Sequence, residues 1–166
     1  MSSVLAGVVR GRPPAGSWQQ GAPLMDEPRP GQWPFFVYGT LRPGTTEHSW
    51  MFRGLATSEL PAVLHDAELY EGPDFPCAVA KPNGGRVRGE AIQVPDDVYD
   101  EMLAGLDQMM DYSPGNPGAA VERVAREVRT TNGASVTAWV YLATARTAAE
   151  LEASGRRITS GDWQNR

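Results

Sequence analysis

A glycine-containing turn directly follows the first apolar segment of the sequence. Residues 35–37 are Phe-Phe-Val, and Tyr38, Gly39, Thr40 and Leu41 come next. Such a turn at a strand end points several backbone N–H groups in one direction, which suits an anion such as a carboxylate. A plain strand-to-helix turn is the alternative, and it is the better interpretation of this motif standing alone. These four residues are therefore candidate substrate-binding residues only if other motifs in the sequence support that role.

The other side chains capable of chemistry show no pattern typical of a metal or cofactor site. His48 and His65 lack the spacing of metal ligands. A nucleophilic pair of Cys77 and His65 is conceivable, but a buried and inert cysteine is the favoured interpretation. Tyr38, Tyr112 and Tyr141 are candidate pocket-lining hydroxyls or, alternatively, core aromatics. We expect no metal and no cofactor.

These residues must be positioned by a sheet with few helices, because apolar segments with strand character outnumber helical ones. The strongest helix begins after Pro95, where Asp96 can cap it, and places Val98, Met102 and Leu106 at helical spacing, with Met109 or Met110 continuing the series. A shorter helix is expected at 47–52. Predicted strands cover residues 35–38, 60–70, 76–80, 87–94, 122–129 and 135–142, with a hairpin turn at 131–133 and a loop at 113–118.

Strands that are mostly neighbours in sequence predict an α+β domain with a small mixed or antiparallel, barrel-like sheet and flanking helices. We expect that domain to span residues 34–166. Residues 1–33 are rich in Gly, Pro, Ser and Gln without periodicity and are predicted to form a disordered leader. Met25 is an alternative start to Met1.

Composition limits the range of functions. The chain has 166 residues and a formal net charge of −5, and its arginines are scattered rather than clustered, so a nucleic-acid partner is not expected. No apolar run is long enough to span a membrane. A single cysteine, Cys77, is typical of a reducing compartment and predicts a cytoplasmic protein. A small-molecule substrate is the expected partner, and the oligomeric state stays open.

Five motifs in order resemble the gamma-glutamylcyclotransferase-like family, whose branches include gamma-glutamylamine cyclotransferases and the butirosin-pathway enzyme. The Tyr-Gly-Thr-Leu loop lies at 38–41, a Gly-x-x-Phe-Pro turn at 72–76 and a glycine-led strand at 89–94. A helix end with Leu-Asp and a later Tyr lies at 106–112, and two closing strands lie at 124–142. No single motif is specific, but five at compatible spacing are.

The resemblance implies a reaction. A γ-glutamyl group is held by its α-carboxylate on the loop amides, and its α-amine attacks its own γ-carbonyl to give 5-oxoproline and a free amine. In this family a glutamate in Leu-Asp-x-x-Glu is thought to move the proton. Here that position is Met110, and a thioether cannot carry a proton. Met110 fills a similar volume with an apolar surface, whereas Met109 is interpreted as a core residue.

Two carboxylates are candidate replacements for the missing base. Asp111 is adjacent, but one residue along a helix turns the side chain by about 100°. Glu90 lies on the strand at 87–94, facing opposite to Gly89 and Ala91, where a solvated Glu paired with an Arg is the commoner arrangement. Tyr112 is a further substrate-binding candidate. Three hypotheses stay open: a cyclotransferase on γ-glutamyl amines, a repurposed cyclase or lyase of a bacterial biosynthetic pathway with an apolar pocket, and a non-catalytic binding protein.

Overall fold

The computed structural model describes residues 32–73 and 75–166, in which strands and three helices form one α+β unit. The predicted leader and the choice between Met1 and Met25 lie outside the described residues, apart from Gln32 and Trp33. The helices are α1 (Thr46–Phe52), α2 (Asp96–Met109) and α3 (Ala145–Ser154), and a final 3₁₀ turn covers Trp163–Asn165. The strands are β1 (Phe35–Val37), β2 (Ser58–His65), β3 (Ala67–Tyr70), β4 (Cys77–Ala80), β5 (Arg86–Gln93), β6 (Val121–Thr130), β7 (Ser135–Ala143) and β8 (Arg157–Ile158).

Five of the strands close into a barrel. The hydrogen-bonded order is β1-β5-β2-β6-β7, and β1 also pairs in parallel with β7, where Phe35 lies opposite Trp139. Strands β4, β3 and β8 continue the sheet from β7, beginning where Ala78 lies opposite Leu142. One edge of β7 is therefore shared, first by β1 and then by β4. The predicted fold class, α+β with a barrel-like sheet, is confirmed.

The closed barrel depends on a close approach between β1 and β5. An added Cβ at Gly89 would lie 2.1 Å from the carbonyl oxygen of Val37, which is too close for any side chain. Only glycine lets the two backbones pair at this point. The glycine that opens the strand motif at 89–94 is thus explained by the sheet itself.

Two apolar clusters flank the sheet. One fills the barrel and includes Phe36, Val87 and Val140, while the other lies between the outer face and the helices. In the second cluster the ring of Phe35 stacks on Tyr99 of α2 at 5.2 Å between centroids. Helix α2 packs through Tyr99, Met102 and Leu106, three residues at helical spacing that are almost fully buried.

Three local predictions differ from the structure. The segment 60–70 forms two strands rather than one, because Asp66 adopts a left-handed φ of 58° and bends the chain, so that β2 pairs with β5 and β3 pairs with β4. The residue at the N-cap of α2 is Pro95 rather than Asp96, which is the first helical residue. Helix α3 was not predicted at all; it is stopped by Gly155 at a φ of 69° and buries only Leu151, so its apolar periodicity is weak.

Among the described residues, none of the helices combines the length and the apolar character needed to cross a membrane.

Candidate active site at the end of the first strand

The candidate substrate loop begins where β1 separates from β7. The buried hydroxyl of Tyr38 donates to the carbonyl oxygen of Tyr141 at 2.7 Å and accepts from the amide of Ala78 at 3.1 Å. Tyr38 therefore joins β4 and β7 at the point where β7 exchanges one neighbour for the other. Burial raises the pKa of Tyr38 well above its ordinary value, so the phenol stays protonated. Its hydroxyl has a structural role and is already fully engaged.

The loop and the Gly-x-x-Phe-Pro turn are in direct contact. A Cβ at Gly39 would lie 2.6 Å from Cγ of Pro76, so glycine lets the proline ring pack on the loop backbone. The turn is closed in the same way, because a Cβ at Gly72 would lie 2.5 Å from the carbonyl oxygen of Phe75. Two motifs that are about 35 residues apart in the sequence thus build one structure.

A small cavity of about 90 Å³, called the loop pocket here, lies between the end of α2 and the loop packed against the Phe-Pro turn. Its lining is formed by β1, the loop, the Phe-Pro turn and the end of α2, with one residue from β7: Phe35, Phe36, Val37, Tyr38, Gly39, Thr40, Leu41, Phe75, Pro76, Leu106, Met109, Met110 and Tyr141. No carboxylate is among them. The amides of Gly39, Thr40 and Leu41 donate no hydrogen bond to any described residue, which leaves three donors for an anion.

Arg42 holds the loop in place immediately after these amides. Its Nε and Nη2 donate to the two carboxylate oxygens of Glu90 at 2.8 and 3.0 Å, and its Nη1 donates to Asp162 Oδ1 at 2.6 Å. Burial alone lowers the pKa of Arg42, but the hydrogen bonds and charges of the two carboxylates outweigh it and raise that pKa. The hydroxyl of Thr45 also lies within hydrogen-bonding distance of the carbonyl oxygens of Thr40 and Arg42, at 2.6 and 2.9 Å.

A second ion pair anchors the end of α2 to the sheet. Asp107 accepts from Arg123 Nε at 2.8 Å and Nη2 at 3.1 Å, and from the hydroxyl of Tyr141 at 2.6 Å. The Arg123 guanidinium lies between the rings of Trp139 and Tyr112, 4.4 and 5.7 Å from their centroids. Burial, together with the hydrogen bond to Asp107, raises the pKa of Tyr141. The phenol that lines the pocket is thus neutral at physiological pH.

Helix α2 ends in a Schellman motif that determines where Met110 and Asp111 lie. The Tyr112 amide donates to the Asp107 carbonyl at 2.8 Å, and the Asp111 amide donates to that of Gln108 at 3.1 Å. Asp111 is the left-handed residue, with a φ of 54°, and is exposed. Met110, one residue earlier, lines the loop pocket.

The structure gathers some of the predicted site residues and separates others. The loop residues 38–41 and Met110 surround one pocket, whereas Asp111 and Tyr112 do not line it. Glu90 does not line it either and is bound to Arg42. The interpretation of Met109 as a core residue is wrong, because its side chain is 38% exposed and borders the pocket.

Sequence reasoning missed the residues that hold the loop. Arg42 follows the Tyr-Gly-Thr-Leu motif directly, and its position there was an available signal. Asp162 lies 120 residues away near the end of the chain, and no local pattern connects it to the loop. Asp107 lies in the motif at 106–112 and Arg123 in the predicted strand at 122–129, but their pairing was not predictable, since ion pairing across two elements has no sequence period.

Cys77 and His65, considered above as a nucleophilic pair, do not line the loop pocket. Cys77 is buried beside Tyr38, and burial raises its pKa to about 12, so it is present as the thiol. His65 is exposed at the end of β2 and is not in the loop pocket. No group of three or more His, Cys, Asp or Glu side chains with metal-binding geometry occurs in residues 32–73 and 75–166.

The family model described as "Gamma-glutamyl cyclotransferase, AIG2-like" matches residues 35–165. The chain belongs to this family. At the family level its function is therefore gamma-glutamylcyclotransferase-like, on small-molecule substrates. None of the curated proteins matches the sequence.

Solved structures with this fold include an AIG2-like protein from Mus musculus, 28% identical, with a TM-score of 0.58 over 72% of this chain and 82% of that one. An uncharacterised protein from Pyrococcus horikoshii is 25% identical, with a TM-score of 0.51 over 78% and 87% of the two chains. A protein from Arabidopsis thaliana, 23% identical over 79% and 81%, with a TM-score of 0.53, shares the fold.

Proposed function

We propose that this protein binds a γ-glutamyl amine through the loop pocket and promotes its intramolecular aminolysis to 5-oxoproline, without a positioned carboxylate base. The observation that carries this proposal is the coexistence, within the described ranges, of three loop amides that have no hydrogen-bond acceptor and a pocket lining that includes no acidic side chain. The amides suit the α-carboxylate of the γ-glutamyl group. The apolar lining favours close packing around the reacting carbonyl.

In this reaction the α-amine forms a bond to the γ-carbonyl carbon, the γ-amide C–N bond breaks, and the leaving amine takes up a proton. Holding the amine against the carbonyl contributes through orientation alone. Proton transfer is left to solvent, because Met110 cannot carry a proton. Turnover is therefore expected to be slow relative to an enzyme with glutamate at this position, by about 10²–10⁴-fold.

The deciding experiment is 5-oxoproline release from a panel of γ-glutamyl amines by the wild type, Met110→Glu and Met110→Gln. Met110→Gln has the shape of the Glu variant but no base, so it separates the charge from the packing. We expect a 10²–10⁴-fold gain, of about the size of a positioned acid or base, for Met110→Glu only. Loss of wild-type turnover in Asp111→Asn would instead assign the base to Asp111. The same loss in Glu90→Gln would assign it to Glu90 only if that variant still binds the γ-glutamyl amine in calorimetry, because Glu90 also binds Arg42 of the loop.

A second candidate function is non-catalytic binding of a small molecule, favoured because none of the described residues that line the loop pocket carries a carboxylate. It predicts that the wild type binds γ-glutamyl amines in calorimetry but releases no 5-oxoproline above the uncatalysed rate. The lone and buried Cys77 fits a cytoplasmic protein, and immunolocalisation in the source cell tests that placement.

A further inference from the structure

A groove between α1 and α2 adjoins the loop pocket and differs from it in size. Its volume is about 550 Å³, which is within the range of small-molecule sites, whereas the loop pocket of about 90 Å³ is below that range. Met109 lines both cavities. A molecule whose carboxylate is bound by the loop amides must extend beyond the loop pocket. The groove is one direction in which it can extend, because Met109 borders both cavities.

The exposed apolar side chains of the described chain are gathered at this groove. Trp50 is 61% exposed, Met109 38% and Leu55 37%, and all three line it. No other large hydrophobic side chain in the described ranges is as exposed. Single exposed apolar residues are ordinary on a protein surface, but a contiguous group marks a binding site.

Methionines dominate the same region. The four methionines within the described ranges all line the groove or the loop pocket: Met51, Met102, Met109 and Met110. An unbranched, polarisable side chain adapts to apolar ligands of different shapes. Arg53 and Glu101 bring one charge of each sign to the groove, so it offers no net charge to select an ionic ligand.

The groove also explains a glycine in the interior of α2. Gly105 costs the helix about 1 kcal/mol relative to alanine. Packing does not require it, since an added Cβ would make only an ordinary contact of 3.8 Å with Met51 Sδ. The missing side chain leaves this wall of the groove open.

We infer that the groove holds the apolar amine portion of the substrate, so that this protein takes γ-glutamyl conjugates of alkyl or aryl amines. The inference rests on the proposed function, which places the γ-glutamyl group in the loop pocket. A competing exit leads past Phe75 to a cavity of about 310 Å³ near α3. That cavity is lined by Glu71, Arg146, Glu150 and Arg156, which would suit a polar amine instead.

The test is calorimetric binding of γ-glutamyl methylamine, butylamine and hexylamine to the wild type, Gly105→Leu and Ala104→Leu. The side chain introduced by Gly105→Leu would occupy the groove, whereas Ala104 is exposed on the same helix and does not line it, so its variant is the matched control. In the wild type and the control, affinity should rise about fourfold for each methylene buried. In Gly105→Leu that rise should disappear while the methylamine conjugate binds as before.

Affinity independent of chain length in the wild type, or an unchanged length dependence in Gly105→Leu, would overturn the inference. Loss of the length dependence in Glu150→Gln but not in Gly105→Leu would assign the amine to the cavity near α3. Light scattering that shows a dimer dissociated by Trp50→Ala would give the groove to a second copy of the chain and also overturn it. If the methylamine conjugate binds but length has no effect, the groove inference alone fails; if no member of the series binds, the proposed function fails with it.

Discussion

At the scale of single residues, the candidate site depends on a guanidinium that does not line the loop pocket. Arg42 neutralises Glu90 and Asp162, whose side chains are 15% and 19% exposed, and its own backbone continues the substrate loop. Removing one partner of such a network leaves buried charge without compensation. Arg42 is accordingly a positioning residue for the three loop amides.

We expect Arg42→Met to lower the free energy of unfolding by about 3 kcal/mol, because two neighbouring carboxylates would face each other without a cation. Lys81→Met is the control, since Lys81 pairs with Glu152 at 3.2 Å on the exposed surface and should cost less than about 1 kcal/mol. Urea denaturation of both variants measures the difference. Equal losses would show that the buried network contributes no more than a surface ion pair.

The raised pKa of Cys77 predicts an unreactive thiol. With a folded pKa of about 12 against an ordinary 9.0, roughly one thiol in ten thousand is ionised at pH 8. Alkylation by iodoacetamide should therefore be slow in the native protein and fast in guanidinium chloride. Comparable labelling rates in the two conditions would contradict this environment for Cys77.

The same shift has a consequence for stability. The folded pKa of Cys77 is above its unfolded value, so the contribution of the neutral thiol to the free energy of unfolding is complete below pH 9. It is lost as the pH rises towards about 12, since the unfolded chain ionises first. Cys77→Ala should thus unfold with a shallower loss of stability between pH 9 and about 11, measured by urea denaturation at each pH.

At the scale of elements, the end of α2 decides which side chain enters the loop pocket. The Schellman motif turns the chain at Asp111, so Met110 faces the pocket and Asp111 faces solvent. The ion pair of Asp107 with Arg123 anchors the same turn to β6. A carboxylate at 110 would be positioned by elements that are already in place.

We expect Asp111→Gly to raise stability by about 1 kcal/mol, because glycine adopts the left-handed conformation without steric cost. 5-Oxoproline release should be unchanged in this variant and in Asp111→Asn, which keeps the shape but removes the charge. Thermal unfolding and the product assay supply the two measurements. A loss of release in both variants would show that Asp111 takes part in the chemistry.

How far the sequence predicts such elements depends on what sets them. The helix bearing Met102 and Leu106 and the strand at 87–94 were predictable because burial repeats with the period of each element. Four of the five motifs contribute residues to the lining of the loop pocket. The position of Asp162 beside Arg42, and the break at Asp66, follow from tertiary contacts and a single backbone angle, neither of which leaves a periodic trace. Helix α3 could not be predicted from periodicity, because Leu151 is its one buried residue.

At the scale of the whole molecule, a five-stranded barrel is extended by three strands through one shared edge of β7. The hydroxyl of Tyr38 bridges the two parts through the Tyr141 carbonyl and the Ala78 amide. Its loss leaves the Ala78 amide buried without a partner. This residue thus couples the substrate loop to the arrangement of the complete sheet.

Tyr38→Phe should lower the free energy of unfolding by about 1–3 kcal/mol, the cost of an unsatisfied buried donor. Amide hydrogen exchange should increase in β3 and β4 more than in β5, because the extension is released from the barrel before the barrel opens. Tyr70→Phe is the control, since the hydroxyl of Tyr70 donates to the Glu68 side chain and to no other group in the described part of the chain. A uniform increase in amide hydrogen exchange across all strands would contradict the role of Tyr38 in connecting the barrel to its three-stranded extension.

The barrel is not paired along its full circumference, and this has a bearing on how the protein behaves at high concentration. Strand β6 meets β2 only at Thr130 and Arg129, so in the described chain its edge from Val121 to Val128 has no strand beside it. A strand edge of this length that has no neighbouring strand can pair with a strand of another molecule, which leads to aggregation. The exposed charges of Glu122, Arg126 and Glu127 lie along that edge, and like molecules approaching it would have to desolvate them. Charge on β6 thus protects solubility.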